Sequence, residues 1–313
     1  MPFTLVYPML ERLTIYFNLT EPGQLWGGNA MKILDTRIRP PFGSFKGGFY
    51  NQSNNRVEAT KKLAKGRFGM PTPPSLDSGS MEMLLQEMDG AGVEQAISPI
   101  RVRNGDNDNI DAPKLCEAYP DKFFGVPTVD LFFGRKENLR IIDEYIVNGP
   151  CRALMVEPGF SEQPMYADDE RFYYIYEKCE MEQIPLMMAF GGFIGPDYSY
   201  CQPLHIDHIA RDFPNLKIFL THGGWPYVTQ VCHVASNRGN VWVAPDLYLM
   251  RSPGWRDYVE AANCMLLDKI CYGSAYPIVD IKAAVDYYLQ AGFSEEALPK
   301  VMYNNAAAFL GLE

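Results

Sequence analysis

From Ser80 onward the chain alternates short apolar runs with amphipathic stretches, and few folds accept that rhythm. Ser80 is placed to cap a helix through MEMLLQEMDGAG, which stops at Gly92. Strands are then expected at 93–100, 123–129, 152–157, 185–190, 217–221, 241–244 and 270–272. Helices are expected between them at 108–119, 136–147, 169–182, 203–212, 225–236 and 255–263, and after them at 281–289 and 294–310. Runs such as RALMVE and PLMMAF are apolar on both faces, as parallel strands covered by outer helices require. Counting from Ile33 gives about eight such strands, which favours a closed (β/α)8 TIM barrel over an open sheet.

In that barrel the chemistry sits at the carboxyl ends of the strands. Taken in order, those ends carry Arg37 and Arg39, Arg101 and Arg103, Asp130, Glu157, Ala189 or Phe190, His222, Asp246, and Ser274-Ala275. The first is the most informative. In MKILDTRIRPP, strand alternation puts Arg37 and Arg39 on one face and Ile38 on the other, before Pro40-Pro41 ends the strand. Two adjacent guanidiniums are expensive to shield from water unless an anion meets them. The pair is either a solvated strand end or an anion site at the barrel mouth. His222 precedes Gly223-Gly224, whose lack of side chains lets backbone approach a ligand. Asp246 could orient His222 or take a proton itself, or simply cap a helix, and Glu157 before Pro158-Gly159 has the same two readings. His205, His208 and His233 fall on outer helices, where structural roles are expected.

The formal charge of −10 argues against nucleic acid and against an anionic membrane surface, and no apolar run is long enough to span a bilayer. Seven scattered cysteines without a CxxC suit a reduced, cytoplasmic protein with core thiols. Residues 1–30 lack signal-peptide features and read as a peripheral extension, with Met31 a plausible start for a domain over 31–313. Asn18 and Asn51 fit the glycosylation pattern only by chance on this view. Residues 40–78 read as a long lid-like loop, with a short helix near 61–65 and Phe42, Phe45, Phe49 and Tyr50 as anchors.

The segments MDGAGVEQAI, YPDKFFGVPTVD, DFPNLKIFLTHGG, ICYGSAYP and VMYNNAAAFLGL, in that order, resemble the amidohydrolase superfamily in the branch typified by aminocarboxymuconate-semialdehyde decarboxylase. The resemblance implies a TIM barrel, often dimeric, and metal-dependent decarboxylation, hydration or hydrolysis of small carboxylated substrates. It also implies metal ligands that are mostly missing here. The family's His-x-His is Arg37 and Arg39, its later His is Ala189, and its final Asp is Ala275; only His222 stays. A guanidinium has no lone pair for a metal and repels a cation. The expectation is therefore an enzyme without metal or other cofactor. Arg37, Arg39, Glu157, Ser274 and Tyr276 would bind a small carboxylate, and His222 and Asp246 would be catalytic. A silent relative that binds an anion or a partner protein, and a displaced metal site on Glu157, His222 and Asp246, are the alternatives. A homodimer is expected from the resemblance.

Overall fold

Every strand-to-strand ladder around the barrel is parallel, and short bridges close it where strand eight would stand. The computed structural model describes residues 25–26, 29–50, 55–101, 108–192 and 195–312. Arg103, Asn18, Asn51 and residues 1–24 lie outside them. Contacts divide the chain into two units, Met1–Met31 and Lys32–Glu313. In the first, Leu25–Trp26 pairs antiparallel with Asn29–Ala30.

In the second unit, β1 (Leu34–Asp35) pairs with β2 (Gln95–Pro99), and β2 with β3 (Phe123–Val126). Pro127 offers no N–H to the ladder, so pairing resumes at Thr128–Val129, beside β4 (Leu154–Val156). The Pro127 carbonyl still accepts from Met155 N at 2.9 Å. β5 (Leu186–Ala189), β6 (Ile218–Thr221) and β7 (Val241–Ala244) follow in sequence order. The segment 270–276, here β8, closes the ring through the bridges Val243–Ile270 and Ile38–Tyr276. This corrects the expected strand at 270–272, because β8 makes bridge pairs rather than a ladder.

The helices between these strands are α1 (Met81–Ala91), α2 (Asp111–Ala118), α3 (Arg135–Ile142), α4 (Tyr173–Met181), α5 (Pro203–Asp212), α6 (Val228–Asn237) and α7 (Trp255–Ala262). After β8 come α8 (Ile281–Gln290) and α9 (Asn305–Leu310). Ser80 caps α1, accepting from Met83 N at 3.3 Å, and Gly92 ends it with φ +74°. Among the described residues no helix is long and apolar enough to cross a membrane. All seven cysteines are free thiols and only Cys264 is exposed.

The barrel interior takes one or two apolar residues from each strand, among them Leu34, Ile97, Phe124, Met155, Met187, Phe219 and Trp242. From α9, Ala306, Phe309 and Leu310 join that cluster. The Phe309 ring sits 4.8 Å from Phe219 and 5.8 Å from Trp242, while Lys217 Nζ donates to the Ala308 carbonyl at 2.7 Å. Strand residues of opposite parity, such as Leu186 and Met188, are also buried, because helices cover the outer face.

The helix expected over 294–310 runs without interruption from Ala297 to Leu310, with a wider turn at Lys300–Asn304 ahead of α9. Asn305 is seated just past that turn, its amide donating to the Leu267 and Ile270 carbonyls at 3.0 and 2.7 Å. One other expectation changes. The lid-like loop at 40–78 is largely helical, with helices at Lys46–Phe49, Arg56–Leu63 and Ser75–Ser78. Phe45 and Tyr50 are its buried anchors, and Phe42 and Phe49 are half-buried.

Candidate active site

The first strand does not carry its arginines by simple alternation. Regular pairing ends at Asp35, and the backbone is then stitched to β8. Thr36 Oγ1 donates to the Tyr272 carbonyl at 2.7 Å, and Arg39 N donates to the Tyr276 carbonyl at 3.1 Å. Asp35 Oδ1 accepts from Arg37 N at 2.9 Å and from Ser274 N at 3.0 Å. These bonds fix Arg37 and Arg39 in the mouth, 3% and 4% exposed.

Three donors on that pair are buried with no acceptor: Arg37 Nη1, Arg39 Nε and Arg39 Nη2. Nε and Nη2 form one edge of the guanidinium, the edge that takes both oxygens of a carboxylate side by side. Leaving a buried donor unsatisfied costs about 1–3 kcal/mol, and more on a charged group. The Phe49 ring lies 5.8 Å from the Arg39 guanidinium, and the Glu157 and Asp246 charges reach it through space without an ion-pair contact.

His222 and Asp246 come together opposite. His222 Nδ1 lies 2.9 Å from Asp246 Oδ2, but off the line of a hydrogen bond. That oxygen instead accepts from His222 N at 3.2 Å and faces Arg37 Nε at 3.7 Å, while Oδ1 is buried without a partner. His222, Asp246 and Ala275, at the ends of β6, β7 and β8, all have left-handed backbone, with φ of +65°, +44° and +59°. Such conformations cost of order 1–3 kcal/mol each for residues with a side chain and cluster at functional sites. Burial, then the Arg37 charge, pulls the His222 imidazole down to about 4, against the smaller opposing pull of Asp246. Burial pushes the Asp35 carboxyl up to about 6.

The structure gives the other expected site residues protein partners. Glu157 is buried, and both its oxygens lie on Arg101 Nε, at 3.1 and 3.2 Å. Burial alone would raise this carboxyl, yet Arg101, Arg39 and Arg37 together hold it below its ordinary value. Arg101 also stacks on the Phe160 ring at 4.1 Å. Ser274 Oγ accepts from Tyr276 N at 3.0 Å. The Tyr276 hydroxyl is 2.6 Å from Ser75 Oγ, which in turn donates to Glu87, so Tyr276 ties the 40–78 segment to the mouth. Tyr50 does the same, donating to the Arg39 carbonyl at 2.9 Å. Arg101, Asp35 and Tyr248, whose ring packs edge-on to His222 at 5.5 Å, are the members that sequence reasoning did not promote. Only Arg101 had a signal, its place just past a strand end.

His205 and His208 lie on α5, each with Nδ1 2.7 Å from a different oxygen of Asp168, and His233 meets Asn237 on α6. Among the described residues no group of three His, Cys, Asp or Glu could hold a metal ion, so the displaced site on Glu157, His222 and Asp246 is not assembled. At the positions where the resemblance puts metal ligands, the donor set is two guanidiniums, two alanines and one imidazole. These residues do not fit a divalent cation.

The amidohydrolase family model matches residues 61–312. An uncharacterized TIM-barrel protein, Bb4693, from Bordetella bronchiseptica is 34% identical, with a TM-score of 0.83 over 90% of this chain and 98% of that one. A 5-carboxyvanillate decarboxylase, LigW, from Sphingomonas paucimobilis is 15% identical with a TM-score of 0.59, over 90% of this chain and 99% of that one. A 2,6-dihydroxybenzoate decarboxylase from Rhizobium is 14% identical with a TM-score of 0.61, over 90% and 98%. At those identities the two decarboxylases speak for the fold. No curated protein matches the sequence.

Proposed function

This chain belongs to the amidohydrolase family, and from that premise we propose that it is an enzyme acting on a small carboxylated substrate without a catalytic metal. The observation that carries the reading is the set of three buried guanidinium donors lacking acceptors, on Arg37 and Arg39. The names of two structural relatives, both decarboxylases of aromatic carboxylates, agree with such a substrate.

In this reading the Nε/Nη2 edge of Arg39 and Nη1 of Arg37 hold a substrate carboxylate or a developing oxyanion, supplying the positive charge that a metal would supply. His222, neutral near pH 7, accepts a proton at Nε2, the ring nitrogen remote from Asp246. Asp246 sets the ring's position, accepting from the His222 backbone N–H and lying 2.9 Å from Nδ1. Ser274 and Tyr276 serve as positioning residues, since their hydroxyls are engaged by protein. Hydrolysis and decarboxylation both fit, with one restriction. A clamp on the departing carboxylate would hold the ground state more tightly than the transition state, where that charge is leaving. The clamped group is therefore one that stays.

The test is a screen of small carboxylates by thermal shift, followed by affinity and turnover assays on the hits. Arg37→Met or Arg39→Met should weaken a hit about 10- to 100-fold, equivalent to about 1.5–3 kcal/mol. His222→Asn should spare binding and lower turnover by roughly 10²-fold or more. Unchanged affinity in the arginine variants would end the clamp reading, and normal turnover in His222→Asn would move the proton to another group.

A further inference from the structure

We infer that the mouth selects a ligand carrying a single negative charge, and discriminates against dianions of the same size. The inference rests on the anion clamp proposed above and names the charge class of its ligand. Among the described residues three guanidiniums line this end of the barrel, Arg37, Arg39 and Arg101, and the chain itself answers two of them. Arg37 faces Asp246 at 3.7 Å, and Arg101 is paired with Glu157 at 3.1 Å. Arg39 is in ion-pair contact with no carboxylate among the described residues; an aromatic ring, Phe49, lies over it instead. Asp35, the remaining buried carboxyl here, is bound by the N–H groups of Arg37 and Ser274 and pairs with no guanidinium.

The donor count agrees with the count of ion-pair contacts. Arg39 presents one complete side-on edge, enough for both oxygens of one carboxylate, and Arg37 adds a single Nη1 donor. A second anionic group on the ligand would be buried between cations already neutralised by Asp246 and Glu157. It would lose its hydration without gaining an uncompensated partner. A carboxylate that is the ligand's only charge, and that is clamped, is not the one to depart. The reacting centre of such a ligand is a neutral group, so of the two reactions named above a single-charge ligand leaves hydrolysis and excludes decarboxylation.

Matched pairs that exchange a neutral amide for a second carboxylate test this on the intact chain: succinamate against succinate, glutaramate against glutarate, and oxamate against oxalate as the smallest probes. Affinity is read by thermal shift and calorimetry at constant ionic strength. The expected result is that the monoanion of each pair binds at least 10-fold more tightly, and that the binding is lost in Arg39→Met. Glu157→Gln leaves Arg101 without its counter-ion and should narrow or reverse the preference, a shift that a purely structural role for Glu157 would not produce. Dianions binding as well as or better than monoanions, with the effect still lost in Arg39→Met, would overturn the single-charge inference and leave the clamp standing. No stabilisation by any pair, or stabilisation that survives Arg39→Met, would overturn both.

Discussion

The base and the mouth of this barrel are equally dry and oppositely built. At the base, Phe219, Trp242, Phe309 and Leu34 are buried among apolar neighbours, and the two cations over Trp242, Lys269 at 3.5 Å and Lys217 at 6.0 Å, are bonded to the Gly239 carbonyl and to the end of α9. At the mouth, Arg37, Arg39, Asp35, Asp246 and His222 are buried to the same degree, and every one of them has a polar side-chain atom without a hydrogen-bond partner. Burial alone therefore does not tell what a region is for. Apolar burial lowers the free energy of the fold by about 25 cal/mol per Å² of surface removed from water. Unsatisfied charged burial raises it, and persists where a ligand completes the contacts.

Three measurements would break or sharpen that contrast. The largest expected effect is at the base. Phe309→Ala removes a fully buried ring that touches Phe219 and Trp242, and should lower unfolding stability in urea by about 3–5 kcal/mol. In the same experiment, without ligand, Arg39→Met should lose nothing or become more stable, because it replaces orphaned donors with an apolar side chain. A large loss in Arg39→Met, or none in Phe309→Ala, would erase the distinction between the two ends.

The next effect is in pH. The folded protein keeps His222 unprotonated down to about 4, whereas the unfolded chain protonates it near 6.5. In that window the unfolded state binds more protons, so acidification weakens the fold by about 3 kcal/mol through this group. Asp35 acts in the opposite sense. It keeps its proton in the folded state up to about 6, against 3.8 unfolded, so acidification between those values strengthens the fold by a similar amount, about 3 kcal/mol. The two nearly cancel in the parent. Asp35→Asn should unmask the His222 effect, falling further below the parent as pH drops from 6 to 4. His222→Asn should diverge in the other direction. Parallel stability curves for all three proteins would show that these groups titrate in the folded state as they do in the unfolded one.

The smallest expected effect is none. Guanidiniums and alanines where the family resemblance puts ligands leave His222 as the one side chain at those positions with a lone pair for a metal. Elemental analysis should find no stoichiometric zinc or manganese, and a chelator should leave the melting temperature where it was. One equivalent of tightly held metal, lost together with activity, would show that the mouth is a metal site after all.

Much of the fold was legible because hydrophobic periodicity is a local property. The expected helix 203–212 and strand 241–244 have their observed bounds, and Ser80 and Gly92 mark the two ends of α1 as their chemistry requires. What misled was also local. Residues 294–310 read as one helix, and Ala297–Leu310 is one, but the pattern carries no record of the widened turn at Lys300–Asn304 or of Asn305 reaching Leu267 and Ile270. The lid read as loop because Gly and Pro punctuate short helices that are held by tertiary bonds, such as that between Ser75 and Glu87. At the site, Arg37, Arg39, Glu157, His222 and Asp246 could be picked out by their strand-end positions, but the pairing of Glu157 with Arg101 could not, because the two are 56 residues apart.

What the sequence by itself determined is thus the barrel and which residues its strands present at the mouth. Period-two and period-3.6 patterns specify burial face by face, and parallel strands closed by outer helices are what satisfies all of those faces together. What only the tertiary structure decided is how the charges are shared. Asp246 answers Arg37 and Glu157 answers Arg101, which leaves Arg39 as the guanidinium in ion-pair contact with no carboxylate among the described residues. Coulomb energy and desolvation depend on distance and depth, and neither exists for these groups until strands far apart in the chain stand side by side.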